Sequence, residues 1–181
     1  ESIFNHNGNK RKPLFDIKKF RKFEKKIIYL LIDHNVDELL NINNDKNTDD
    51  ILGLEIINAL KRENYQRNFI INGLTDAKNE DWIIISDLDE IPNLEVNKLR
   101  ENKCKIVFFR QLMIYYKFNL FLNKFPWIGS KACKKKDLRS PQWLRNIKDR
   151  KYPFYRLDTV FSKTKYIDVE FVDKGGWHFS N

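Results

Sequence analysis

Trp82-Ile83-Ile84-Ile85-Ser86-Asp87-Leu88-Asp89-Glu90-Ile91-Pro92 is the stretch that decides how this chain is read. An apolar run fit for a buried strand is followed by three carboxylates within four positions. A buried strand ending in acidic residues places them at the C-terminal edge of a sheet, where open α/β proteins bind ligands. If strand geometry continues, Asp87 and Asp89 point the same way and Leu88 points back into the core. Two carboxylates on one side repel unless a cation lies between them, and oxygen ligands suit Mg²⁺ or Mn²⁺. Asp, Asn and Pro after a strand are also ordinary turn formers, so the bare Asp-x-Asp reads equally as a surface loop.

Working outward, 181 residues predict a single domain with a substantial core. Apolar residues at 41% and aromatics at 14% argue against disorder. The formal charge of +9 suits nucleic acid, an anionic membrane face or a phosphorylated substrate, and charge alone does not choose among them. Cys104 and Cys133 lack metal-type spacing and read as free thiols of a reducing compartment, with one disulfide as the alternative. No run approaches the ~20 apolar residues of a membrane span, and no signal-peptide pattern is present. Because the chain opens at Glu1, an upstream strand or anchor is expected to precede it.

Upstream, Ile27–Ile32 is an apolar run expected to form a strand covered on both faces of a parallel sheet. The basic stretch from Lys18 to Lys26 predicts a short helix with Phe20 and Phe23 turned inward. Residues 41–50 are polar and predict a loop. From Asp50 to Asn72, Leu52, Ile56, Leu60 and Phe69 fit one helical face, with Gly73 as its stop. Downstream, Leu94–Asn102 predicts a short helix, and Cys104–Arg110 and Leu112–Phe118 predict strands. The aromatics between Tyr115 and Trp127 are expected in the core. Residues 131–150 are basic and predict loop plus helix, while Thr159–Phe161 and Tyr166–Val172 are strand candidates. Strand–helix alternation before Asp87, then mostly strands, predicts a nucleotide-binding half over 1–92 and an acceptor half over 93–181.

Several motifs converge on one family. Glu1-Ser2, His6-x-Gly8, Lys12-Pro13-Leu14-Phe15, Arg67-Asn68, the central stretch from Asp81 to Pro92, and Gly175-Gly176-Trp177-His178-Phe179-Ser180 occur in order along nearly the whole chain. With them the chain resembles glycosyltransferase family 17, the β-1,4-mannosyl-glycoprotein N-acetylglucosaminyltransferase type, and its bacterial and viral relatives. The resemblance implies an α/β fold of GT-A type, with a Rossmann-like nucleotide-sugar-binding sheet flanked by helices and a smaller acceptor side. It implies a UDP-sugar donor, foremost UDP-N-acetylglucosamine, a divalent Mn²⁺ or Mg²⁺, and inversion at the anomeric carbon. The acceptor would be a glycan or lipid-linked saccharide, and no nucleic acid is expected as partner. The location would be the cytoplasm or the cytoplasmic membrane face, or the Golgi lumen for a eukaryotic chain with an anchor.

In that likeness Asp89 is the main metal ligand, and Asp87 contacts the ribose or the metal shell. Glu90 serves the metal or the donor sugar, or else only a cap or salt bridge. His178 completes the metal shell or touches the diphosphate, and Trp177 stacks on a sugar; ordinary core packing is the alternative for both. Glu1 borders the nucleotide pocket, His6 and Lys12 lie in the loop after it, and Arg67 reaches the nucleotide or pairs with Asp87. The cluster Lys131, Lys134, Lys135, Lys136, Arg139 and Arg145 clamps the diphosphate, faces a membrane, or is simply solvated. The general base of an inverting reaction is not identified among Asp137, Asp158, Asp168, Glu170 and Asp173. Two rivals are a haloacid dehalogenase-like phosphohydrolase with Asp87 as nucleophile and a basic nucleic-acid-binding domain. A transferase-like domain that binds without turnover is a third.

Overall fold

The computed structural model of the chain describes residues 1–5, 7–37, 39–42, 47–94, 99, 103–117 and 119–180. It is a mixed α/β protein that divides into two compact units, Glu1–Asp76 and Ala77–Asn181. The division falls ahead of the tryptophan-led strand, so the acidic stretch belongs with the second unit and not with the first half.

In the first unit the long helix Thr48–Phe69 begins at Asn47, whose side chain accepts from the Asp50 amide at 2.9 Å. Asp49 and Asp50 in the first turn and Arg67 in the last complement the helix dipole. A 3₁₀ turn, Ile70–Gly73, ends the helical run at the expected glycine. The helix buries Asn58, which grips the Leu40 backbone through both of its amide atoms at 2.8 and 2.9 Å. Its apolar residues Leu52, Ile56 and Leu60 are exposed.

Two expectations for this unit fail. Ile27–Ile32 is not a strand: it contributes one parallel bridge, Ser2 to Ile32, and of its six residues only Ile32 is buried. A strand needs a neighbour over several residues, and no named strand occurs among the described residues of this unit. The basic stretch is a 3₁₀ helix, Ile17–Lys26, with a kink at Phe20. Phe20 and Phe23 face outward, and Phe20 stacks on Phe15 at 5.4 Å between ring centroids.

The second unit holds two four-stranded mixed sheets. β1 (Trp82–Ile85), β6 (Lys131–Lys134), β3 (Ile106–Phe109) and β7 (Val169–Val172) form the first, in that order. β2 (Glu90–Pro92), β8 (Gly176–Ser180), β4 (Gln111–Tyr115) and β5 (Phe121–Trp127) form the second. β3 runs into β4 across Arg110, and β7 into β8 across residues 173–175, so two long parallel strands cross from one sheet to the other. Two residues separate the paired positions Phe109 and Leu112, against four between their partners Val172 and Trp177. The surplus is taken up at Lys174, at φ 53°, and at Gly175, where a Cβ would lie 2.8 Å from the Val172 carbonyl and 2.9 Å from the Arg110 amide.

β3 is buried along its length, as an Ile-Val-Phe-Phe run between two neighbours requires. Val107 and Phe109 join Leu99, Ala132 and Val172 in the core, with Trp82 and Ile84 of β1 packed against them. The strongest departure from expectation is β6: residues 131–134 form an interior strand where loop was expected. Ala132 and Cys133 are fully buried, and Lys131 is 3% exposed. Its ammonium donates to the carbonyls of Arg145 and Ile147 at 2.7 and 2.5 Å and pairs with Asp149 at 2.6 Å. Residues 158–161 form a helical turn, not a strand. Several of the aromatics expected in the core between Tyr115 and Trp127 lie outside it, while Phe118 is outside the described residues. Tyr116 is exposed in the bend after β4, and Phe121 and Phe125 are exposed on β5, an edge strand with one neighbour. The helix expected over 94–102 lies largely outside the described residues.

Candidate functional site

β1 ends at Ile85, and the chain turns at Leu88 and Asp89 before β2 begins at Glu90. The strand geometry that would align Asp87 with Asp89 therefore stops short of both. Leu88, expected in the core, is fully exposed at the tip of the turn. The two aspartates part company: Asp87 is drawn to Arg145, while Asp89 lies beside His178.

Glu90 is the hub. Its side chain is 1% exposed, and its two oxygens accept five hydrogen bonds. One oxygen takes the Asp87 amide at 3.1 Å, the Ser130 hydroxyl at 3.2 Å and Arg145 at 2.8 Å. The other takes the Trp127 indole N–H at 2.8 Å and Arg145 at 3.1 Å. Burial alone would raise its pKa, but Arg145, Trp127 and the Asp87 amide outweigh it and hold the carboxyl below its ordinary value. Gly129 makes room for this packing, since a Cβ there would fall 1.7 Å from a Glu90 oxygen and 2.3 Å from the Trp127 nitrogen. Ser130 also accepts from Gln111 at 3.0 Å and lies against Ser86.

Arg145 comes from the short helix Pro141–Asn146, capped by Ser140 through the Trp143 amide at 3.1 Å. Besides Glu90 and the Gly129 carbonyl, its guanidinium meets Asp87 at 2.7 Å. Buried Lys131 holds the end of that helix through the Arg145 and Ile147 carbonyls, so the interior lysine fixes the backbone that aims the arginine.

His178 sits on β8 opposite Glu90. It is buried, and the Trp127 ring stacks on it with centroids 4.5 Å apart and planes 12° from parallel. Its Nδ1 is buried with no hydrogen-bond partner and lies 3.8 Å from an oxygen of Asp89, which is half exposed. Trp177, expected beside His178 at the site, is on the opposite face, as strand alternation demands. It is partly exposed next to its cross-strand partner Ile91.

The remaining expected residues belong to the first unit. Glu1 accepts from the Leu14 and Phe15 amides at 2.7 and 3.1 Å and from the Tyr29 hydroxyl at 3.0 Å, so its carboxylate organises the loop that carries exposed Lys12. Arg67 pairs with Glu63 at 2.7 Å. His6 lies outside the described residues. A cavity of about 500 Å³ in this unit is lined by Ser2, Phe4, Ile32, His34, Leu60 and Tyr65, among others. His34 and Tyr65 meet there at 2.7 Å.

Most of the basic cluster has partners within the chain. Lys134 and Lys136 both pair with Glu80 at 2.6 Å, pulling that carboxyl down to about 2 through the two hydrogen bonds. Lys135 donates to the Ala77 carbonyl and Arg139 lies over Trp143. Trp127, Ser130 and Gly129 carried no motif that marked them for the hub, and Arg145 stood only within a charge run. Among the described residues no group of three or more His, Cys, Asp and Glu side chains is arranged to hold a metal ion. No protein-family model matches the chain, and neither the curated proteins nor the solved structures compared with it gave a match.

Proposed function

We propose that this chain is a metal-dependent inverting glycosyltransferase of GT-A type that takes a UDP-sugar, foremost UDP-N-acetylglucosamine, and a saccharide acceptor. The observation that carries the reading is the pair Asp89 and His178. A half-exposed carboxylate and a buried, unpartnered imidazole nitrogen stand 3.8 Å apart at the end of the strand-and-turn motif. Two protein ligands fit a cation that draws its other positions from substrate phosphates and water. The imidazole favours Mn²⁺ over Mg²⁺. When bound, such a cation acts as a Lewis acid on the departing diphosphate.

The chain's own residues supply the rigid frame. Trp127 fixes the plane of His178, and the Glu90–Arg145 hub fixes the turn that presents Asp89. Asp87 moves from ligand to support, because Arg145 engages it. The same engagement weakens the phosphohydrolase alternative, which needs Asp87 as a nucleophile.

The test is thermal unfolding with a panel of nucleotide sugars, with and without Mn²⁺, on the wild type and Asp89→Ala. A stabilisation that needs both ligands and disappears in Asp89→Ala supports the reading. Donor turnover undiminished in a folded Asp89→Ala protein at saturating donor overturns it.

A further inference from the structure

We propose that the loop Lys148–Lys165 is a docking surface for an anionic lipid membrane. It is a different surface from the basic cluster at 131–145, whose charges are mostly paired internally. The loop is closed at its base: the Lys148 amide donates to the Thr164 carbonyl at 2.8 Å and the Tyr152 amide to the Tyr166 carbonyl at 3.3 Å. Between these ties the chain projects five large apolar side chains. Phe154, Tyr155, Leu157, Val160 and Phe161 are each at least 70% exposed. Of residues 153–161 only Thr159 is buried. So dense a run of exposed apolar groups marks an interaction surface.

Its charge selects the partner. The loop carries six cations, Lys148, Arg150, Lys151, Arg156, Lys163 and Lys165, against Asp149 and Asp158. Both carboxylates are occupied: Asp149 by buried Lys131, and Asp158 by Arg156 at 2.8 Å and Lys165 at 2.7 Å. Arg150, Arg156 and Lys165 gather over the buried Tyr152 ring, 4.8 to 5.9 Å from its centroid, at the root of the apolar tip. An apolar tip ringed by cations is complementary to an apolar layer beneath anionic headgroups. Among the described residues no helix is long and apolar enough to cross a membrane.

The experiment is co-sedimentation of the full chain with vesicles of pure phosphatidylcholine or of phosphatidylcholine with 30% phosphatidylglycerol. The wild type is expected to bind the anionic vesicles at least tenfold more tightly, and less so at raised salt. Phe154→Ser with Phe161→Ser should weaken binding at least tenfold. Lys151→Gln with Lys163→Gln, which touches no apolar contact, should weaken it about fivefold per charge. Equal binding to both vesicles overturns the proposal, as does wild-type affinity in both double variants. Self-association of the wild type without vesicle binding, abolished by the Phe pair, overturns it in favour of a second copy of the chain.

Discussion

Arg145 donates to both oxygens of Glu90, at 2.8 and 3.1 Å, across 55 positions of sequence. The arginine is 13% exposed and the carboxylate 1%, so neither charge has water to fall back on. Removing the guanidinium leaves a buried carboxylate with its principal counter-charge gone. Arg145→Met is expected to cost about 3–5 kcal/mol in urea unfolding. Asp87→Asn, at the more exposed end of the same arginine, should cost no more than about 1 kcal/mol. Similar losses in the two variants would show that Glu90 is not the hub.

The same carboxylate gives stability a pH dependence of known sign. Its folded pKa is depressed from the ordinary 4.5, so its contribution is fully present above that value. The contribution fades as the pH falls from there through the folded pKa. Unfolding free energies measured from pH 7 downward should therefore decline in the wild type below about 4.5. Glu90→Gln should start lower and decline less steeply over that window. Parallel curves for the two proteins would contradict the assignment.

Gly129 should admit no side chain. A Cβ would overlap a Glu90 oxygen and the Trp127 nitrogen, which are the groups that hold Arg145 and His178 in place. Neither neighbour is a flexible surface end, so the strain has no cheap outlet. Gly129→Ala is expected to destabilise by about 3 kcal/mol and to change the near-ultraviolet signal of Trp127. An unaltered midpoint would mean that the hub tolerates displacement.

What the sequence made legible follows the physics of each element. The runs at residues 82–85 and 106–109 are apolar because their strands are packed in the core, and both were readable. The long helix was readable from its period and its glycine stop. Ile27–Ile32 was misleading, because apolar composition says nothing about whether a neighbouring strand exists to pair with. β6 was hidden because its first residue is a lysine, made tolerable inside by two carbonyls and Asp149. The pairing of Asp87 and Glu90 with Arg145 spans 58 and 55 positions, a separation over which local pattern carries no information. Alternation along β8 was legible in principle and splits Trp177 from His178.

The two cysteines should be slow to react. Burial pushes the Cys133 thiol to about 12, and burial together with Asp168 pushes Cys104 to about 11. Both are far above neutral pH, where thiolate is the reactive form. A disulfide-exchange reagent at pH 8 is expected to label neither thiol in native protein within minutes, and both after unfolding in guanidinium. Rapid native labelling of Cys133 would contradict its place in the interior of the first sheet.

His178 separates a binding role from a packing role. If its ring matters only as a partner for Trp127, replacing it with another flat side chain should keep stability and leave metal response alone. If Nδ1 is a ligand, the response must depend on the nitrogen. His178→Phe preserves an aromatic face against Trp127, so its unfolding midpoint should stay within about 1 kcal/mol of wild type. It should nevertheless lose the Mn²⁺-dependent part of the donor-induced thermal shift. His178→Ala should lose that shift and also about 2 kcal/mol of stability through the vacated stack. A full Mn²⁺ response in folded His178→Phe would leave Asp89 as the sole protein ligand of the pair and reduce His178 to a packing residue.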